Sequence, residues 1–459
     1  MPRPQPSLDS EPGSITRRAP FANNPVVGLR GQQAQQRILE AALQVFGEVG
    51  YHRCGVKRIT ELAGCSRASF YQYFSSKEDL FRHLAGHVAK ELRHSTETIT
   101  AITPDQAGHE QLRAWLDRYS EVYDDFEPVF VTFHVAAGAD EAVAAGSARV
   151  KDRQEHVLRS KVEGSPLPDE EIARVVRTVL DTVARSNRVC ELIELAHPDT
   201  PLQRPRLNAG LADVFHRALF GIDPDVNSRV SPRGSVAAEV DERDRARLAD
   251  PEDVDLDLGP VGMQTRAAVL EAGHQVFVER GYYGTRVDDV AKAAGVSHGV
   301  FYRYFKNKNH LFRILAGRAG ERLGGAFRDV EHLDVTAPTA SADLRAWLHR
   351  YAVTHSEEAA IIRVWTDAIA RDPKLGTASV DGISAGRSSL LKLLAHRGFG
   401  DVEAEAVVLL VLLEAMVGGS PNSERADRVV SLIERSVVCL PSGDDARRNG
   451  RRRLRLPTR

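Results

Sequence analysis

The chain has 459 residues, of which 42% are hydrophobic, 27% charged and only 6% aromatic, with a formal net charge of −2. This mixture is too apolar for an intrinsically disordered protein, and at ~100–200 residues per domain the length calls for two to four folded units. Near-neutrality excludes a uniformly basic protein and, taken alone, speaks against nucleic acid as a partner, because phosphate-binding domains are usually basic.

Residues 1–30 carry six prolines and no apolar signal-peptide core, so they are expected to form a disordered tail. A run of helical periodicity follows. Leu39, Ala42, Leu43 and Phe46 share one apolar stripe that Gly50 ends; the spacing then predicts a short helix over 56–63, a turn at Gly64 and a third helix opened by Ser66. A serine at that place can cap a helix by accepting a hydrogen bond from a first-turn amide. A short helix, a glycine turn and a capped helix make a helix-turn-helix, here assigned to a domain over 31–94. Residues 95–221 continue as apolar helices and form a first regulatory domain. It ends in helices predicted from Glu171 to Glu194 and from Leu211 to Leu219, and Pro128 is expected to break the aromatic stripe before them.

Residues 222–262 lack apolar periodicity and read as a solvated linker; at ~40 residues it reaches about 35 Å. Beyond it the chain repeats itself. Shifted by 231 positions, Leu39–Gly86 matches Leu270–Gly317 without a gap, with 24 identities in 48 positions. At a shift of 232, LRAWLDRY from Leu112 matches LRAWLHRY from Leu344. The second copy therefore supplies a helix-turn-helix domain over 263–326 and a regulatory domain over 327–440, and Arg-rich residues 441–459 form a basic tail. Val407–Leu413 is apolar all round, so that helix must be buried on every side. The fold class is all-α: two tandem three-helix helix-turn-helix domains, each followed by an α-helical bundle, for which the resemblance given below implies ligand binding and dimerisation.

Charge sorts by segment. Arg30–His94 holds 10 Lys and Arg against 6 Asp and Glu, a net +4; Val261–Arg328 holds 11 against 5, a net +6. The stretch from Asp223 to Asp257, with 11 acidic residues against 5 arginines, offsets both. Phosphate attraction is local, since salt screens it over ~10 Å, so each head can bind DNA in a chain of near-zero charge.

The strings AGCSRASFYQYFSSKEDLF and AGVSHGVFYRYFKNKNHLF resemble the consensus of the tetracycline-repressor (TetR) family of transcription regulators. The match is long, ungapped and present twice. It departs from the family pattern at Cys54, where the second copy has the more usual Thr285, and at Ala68, where the second copy has Gly299. The resemblance implies a ligand-responsive regulator, most simply a repressor, that binds an operator in double-stranded DNA. The start of a recognition helix lies against major-groove base edges, which gives Ser66, Arg67, Ala68 and Ser69 in one copy and Ser297, His298, Gly299 and Val300 in the other. Arg67 is the best candidate for base readout, since it can donate twice to a guanine edge. The resemblance gives Tyr71 and Tyr302 a phosphate or thymine contact and gives Tyr73 and Tyr304 a backbone contact. Lys77 and Lys308, opening the fourth helix, suit a phosphate. Gln72, Arg303, Lys57 and Arg286 complete the DNA-facing set with Cys54 and Thr285. Phe70, Phe74, Phe301 and Phe305 belong to the core.

The family binds small molecules inside its helical bundle. Candidate residues for an apolar effector are Trp115, Tyr119, Tyr123, Phe130 and His134 in the first copy and Trp347, Tyr351 and Trp365 in the second, with a packed core as the alternative reading. The family also dimerises through its last two helices; with both halves in one chain, the expectation is an intramolecular pseudo-dimer meeting major grooves one turn, or a multiple of a turn, apart. A further homodimer of chains stays open. Because the recognition starts differ, the operator is expected to have two unlike half-sites.

Cys54, Cys65, Cys190 and Cys439 make no CxxC pair and no disulfide framework, which fits the cytoplasm. The longest apolar run, Ala406–Leu413, falls short of the ~20 residues of a membrane span, so no membrane partner is expected. His83 and His87 stand i, i+4 with no completing ligand, and no catalytic constellation stands out; no metal, cofactor or enzyme activity is expected. The competing reading is an interaction or ligand-sensing protein in which one head, or neither, binds DNA.

Overall fold

A computed structural model describes residues 28–51, 53–139, 141–196, 203–221, 258–335, 337–369, 377–395, 400–416 and 424–437. The tail expected over 441–459, all but the end of that over 1–30 and most of the 222–262 linker lie outside the described residues. The first copy holds α1 (Leu29–Val49), α2 (Val56–Leu62), α3 (Arg67–Tyr73), α4 (Lys77–Glu97), α5 (Gln106–Ala139), α6 (Glu141–Ser160), α7 (Asp169–Ala196) and α8 (Arg204–Phe220). The second repeats the series as α9 (Pro260–Gly284), α10 (Val287–Ala293), α11 (His298–Tyr304), α12 (Lys308–Val330), α13 (Ala340–Ile369), α14 (Thr377–Ala395), α15 (Val402–Met416) and α16 (Glu424–Val437). Among the described residues the only β pairing is an isolated bridge between Ile102 and Val162. Helix formation begins slightly outside the expected domains: α1 already includes Leu29, and Pro260 opens α9 inside the expected linker, where its fixed φ and missing N–H suit a first helical turn.

The described residues form two compact units, one within Met1–Thr103 and Glu110–Gly164, the other within Pro104–His109 and Ser165–Arg459. Of the helices in the regulatory domain expected over 95–221, α7 and α8 fall in the second unit. Their apolar faces are covered there by α14, α15 and α16 of the other copy.

In the first unit α1–α4 make the head, and α4 also packs on α6. The Thr96 hydroxyl accepts from Trp115 Nε1 at 3.3 Å and from Gln154 Nε2 at 3.1 Å, tying α4, α5 and α6 at one point. Pro128 bends α5 rather than ending it: Phe126 leaves helical geometry at φ −124°, ψ 23°. A proline lacks the amide donor and crowds the preceding turn, which accounts for the bend. A Cβ on Gly47 of α1 would meet Pro128 Cγ at 3.3 Å, so the bend rests directly on the head.

In the second unit α9–α12 make the head. Ile361 and Val364 of α13 join its core. Val407–Leu413 is buried throughout, as its composition requires. Around it α7 and α8 meet the second copy through polar contacts. Arg206 holds Asp401 and Glu403, each at 2.8 Å; Arg435 holds Glu171 at 3.0 Å; and Arg185 Nη1 donates to the Glu414 carbonyl at 3.2 Å. Arg217 and Glu405 pair with both side chains fully buried, and Arg217 Nε also donates to the Ser436 carbonyl at 3.1 Å.

Candidate nucleic-acid interface and effector core

Each head is built from the same local rules. Gly50 and Gly281 take φ of 75° and 67°, and Gly64 and Gly295 take 63° and 67°; this left-handed region favours glycine, and it turns the chain into and within the helix-turn-helix. Ser66 Oγ accepts from the Ser69 amide at 3.1 Å and Ser297 Oγ from the Val300 amide at 3.3 Å, so both recognition helices are capped as expected. Phe70, Phe74, Phe301 and Phe305 point inward and are buried.

The outer face of α3 shows Ser66, Arg67 and Ala68, with Ser69 and Gln72 half-buried and Tyr71 46% exposed. The outer face of α11 shows Ser297, His298, Gly299 and Arg303, with Val300 half-buried and Tyr302 48% exposed. Lys57 and Arg286 are exposed beside them. The two faces differ electrostatically. His298 Nε2 lies 3.2 Å from Asp288 and its ring stands edge-on to Tyr302. In the first copy Arg67 replaces that histidine, and Lys57 occupies the position of Asp288.

Four expected DNA contacts take inward positions. Tyr73 and Tyr304 are buried, three residues after Phe70 and Phe301 on the core-facing side of their helices. Cys54 and Thr285 are buried too. Thr285 Oγ1 donates to the Gly281 carbonyl at 2.8 Å, closing the turn after α9, while burial pushes the Cys54 thiol up in pKa. Both positions shape the approach to the second helix.

Lys77 and Lys308, given to phosphate by the sequence, spend their ammonium groups inside the head. Lys77 donates to the Tyr51 carbonyl at 2.9 Å and sits over the Tyr51 ring. Lys308 donates to the carbonyls of Tyr282 at 2.8 Å and Thr285 at 2.9 Å, and burial lowers its pKa. Replacing Lys308 by methionine removes the ammonium donor from two carbonyls and is expected to cost about 1–3 kcal/mol in a thermal melt. The salt dependence of DNA binding is expected to stay unchanged; a slope lower by about one would restore the phosphate role.

His83 Nδ1 lies 2.9 Å from the Asp79 carbonyl, and His87 has its pKa lowered, chiefly by burial. Among the described residues no group of three or more His, Cys, Asp or Glu side chains is placed to hold a metal. No helix among them is long and apolar enough to cross a membrane.

In the first bundle Trp115, Tyr119 and Tyr123 are buried and Phe130 is half-buried, with the Tyr123 and Phe130 rings 5.0 Å apart. The side chains of His134 and Trp365 lie outside the described residues. In the second bundle Trp347 and Tyr351 are buried; Trp347 Nε1 donates to the Ala326 carbonyl at 2.7 Å, and Phe327 packs on both rings. The bundle also holds a polar centre. His355, 1% exposed, lies 3.2 Å from Glu414 Oε1. Burial pushes the Glu414 carboxyl up, but His355 and Arg185 outweigh it and leave the pKa below its usual value. Burial, and then the Glu414 charge, raise the Tyr351 hydroxyl well above the ordinary tyrosine range. In the sequence His355 follows Trp347 and Tyr351 at i+4 steps; its carboxylate, 59 residues on, carries no sequence signal.

Residues 38–84 and 269–315 each match the family described as bacterial regulatory proteins, tetR family. The chain is 30% identical over 129 residues to the HTH-type transcriptional regulator LuxR of Vibrio harveyi, covering 24% of this chain and 62% of that protein, short of two thirds of its length. It is 28% identical over 189 residues to the HTH-type transcriptional regulator PksA of Bacillus subtilis, covering 38% of this chain and 90% of that one. The structure of the TetR family transcriptional regulator PfmR from Thermus thermophilus matches 39% of this chain and 97% of its own, at 24% identity and a TM-score of 0.33.

Proposed function

Because the chain belongs to the tetR family of bacterial regulatory proteins and carries that family's DNA-binding domain twice, we propose that it is a transcription regulator, acting as a repressor. Its two heads act as an intramolecular pseudo-dimer on one operator in double-stranded DNA, in the cytoplasm. The observation that carries this reading is one scaffold with two different outer faces: Arg67 with Lys57 in one head, His298 held by Asp288 in the other. The packing of α7 and α8 against α14–α16 supports the pseudo-dimer.

The start of each recognition helix enters a major groove, where Arg67 can donate two hydrogen bonds to a guanine edge. Tyr71 and Tyr302, exposed at the rim, reach the sugar-phosphate backbone, which fixes register without reading sequence. Arg303, Arg286 and Lys57 add cations, so affinity falls as salt rises. A small apolar effector enters one bundle and shifts the equilibrium between DNA-competent and incompetent arrangements. A coupling of ~1–3 kcal/mol changes operator affinity 5- to 150-fold.

Selection from random DNA, followed by footprinting, is expected to return two unlike half-sites; a perfect palindrome would count against the reading. Alanine at Arg67 and Tyr71 is expected to weaken binding by roughly 5- to 150-fold and to relax preference in one half-site, and alanine at His298 and Tyr302 to do the same in the other. If only one pair of substitutions matters, a single head reads DNA and the other serves as its structural partner.

A further inference from the structure

We infer that α8 of the first copy has one acceptable partner surface, α15 of the second copy, so that the chain closes on itself and its first copy does not dimerise with the first copy of another chain. This rests on the pseudo-dimer reading and adds its specificity. A dimer of identical subunits makes every contact twice, with the same residues on both sides of the axis. Here the two sides differ. Arg217 and Glu405 are buried to 0% and 1% exposure, and on the other side the residue 232 positions before Glu405 is Ala173, which has no carboxylate to offer.

The buried side depends on residues found in one copy only. At a shift of 232, α7 and α15 align through Asp169 and Asp401, Glu171 and Glu403, Val175 and Val407, Val176 and Val408, and Leu180 and Leu412. At two of the positions that α8 touches, they diverge. Where α15 has Ala404 and Glu405, α7 has Ile172 and Ala173. A Cβ on Gly210 of α8 would lie 2.9 Å from Ala404 Cβ and 3.3 Å from its backbone carbon, so the helices meet at the approach that glycine and alanine allow. An isoleucine in that place holds them apart. An alanine in place of Glu405 leaves the Arg217 guanidinium buried without its carboxylate, and an uncompensated buried charge is far costlier than a paired one. The discrimination therefore comes from what the wrong partner lacks.

The test uses the full chain. Light scattering is expected to give the single-chain mass, 50.5 kDa, at every concentration, and separately purified chains with different tags are expected not to exchange. Arg217→Met and Glu405→Leu are each expected to lower the melting midpoint by on the order of 10 °C, and the double substitution by less than half of that, because a buried ion pair can be replaced by apolar side chains at little cost. A two-chain mass, a mixed-tag species, or single effects that simply add in the double variant would overturn the inference. None of these readouts involves DNA. Loss of operator binding with a single-chain mass would instead remove the regulatory reading and leave this one standing.

Discussion

Alanine in place of Phe301 is expected to cost the second head about 3–5 kcal/mol and to remove its contribution to DNA binding. Phe301 is 0% exposed and packs on Phe305 with ring centroids 5.6 Å apart, inside a cluster with Val290, Leu311 and Phe312. The helix that carries it has seven residues, too few to persist in water on its own, so its conformation depends on those contacts. The loss is comparable with the whole stability of a small domain. Hydrogen exchange should show residues 287–305 losing protection while residues 56–74 of the other head keep theirs. Unchanged protection across 287–305 would mean that the recognition helix is held by something other than this core.

Replacing Trp347 by alanine separates the two readings of the bundle aromatics. Trp347 is 1% exposed, donates to the Ala326 carbonyl at 2.7 Å and packs on Tyr351 with centroids 5.6 Å apart. As core, it is expected to cost about 3–5 kcal/mol on removal and to leave an apolar void beside the Ala326 carbonyl, which loses its side-chain donor. Added indole is then expected to raise the melting midpoint of the variant, since it replaces both the ring and the N–H. As an effector-lining residue it would leave the midpoint unmoved and change only the response to ligand.

The heads were legible because their determinants are local. Ser66 and Ser297 cap from one turn away, Gly64 and Gly295 mark their turns, and the Phe70 and Phe301 stripes repeat at helical spacing. The inward turn of Tyr73 and Tyr304 was legible too, had their i+3 relation to those phenylalanines been weighed above the tyrosine hydroxyl. The lysine clamps were not: the acceptors of Lys308 are main-chain carbonyls 23 and 26 residues earlier, and a carbonyl has no sequence signature. Periodicity showed that α7 and α8 have apolar faces. It did not show which copy covers them, because a helix face encodes burial and not the identity of its partner. Arg217, in the last turn of α8, reads in sequence as a solvated charge near a helix C-terminus; its burial follows from Gly210 and Glu405 together.

Arg217 and Glu405, 188 positions apart in the chain, are also separated in their appearance during synthesis. At ~5–20 residues per second, α8 leaves the ribosome roughly 10–40 s before α15 exists to receive it. Through that interval the first copy can complete its head and its α4–α6 packing, which use only residues already made. The apolar faces of α7 and α8 have no such partner yet. The nascent chain therefore matures in two stages, an early one that finishes a reading head and a late one that waits for the C-terminus, and the late stage is where a truncated or stalled product would be open to proteolysis.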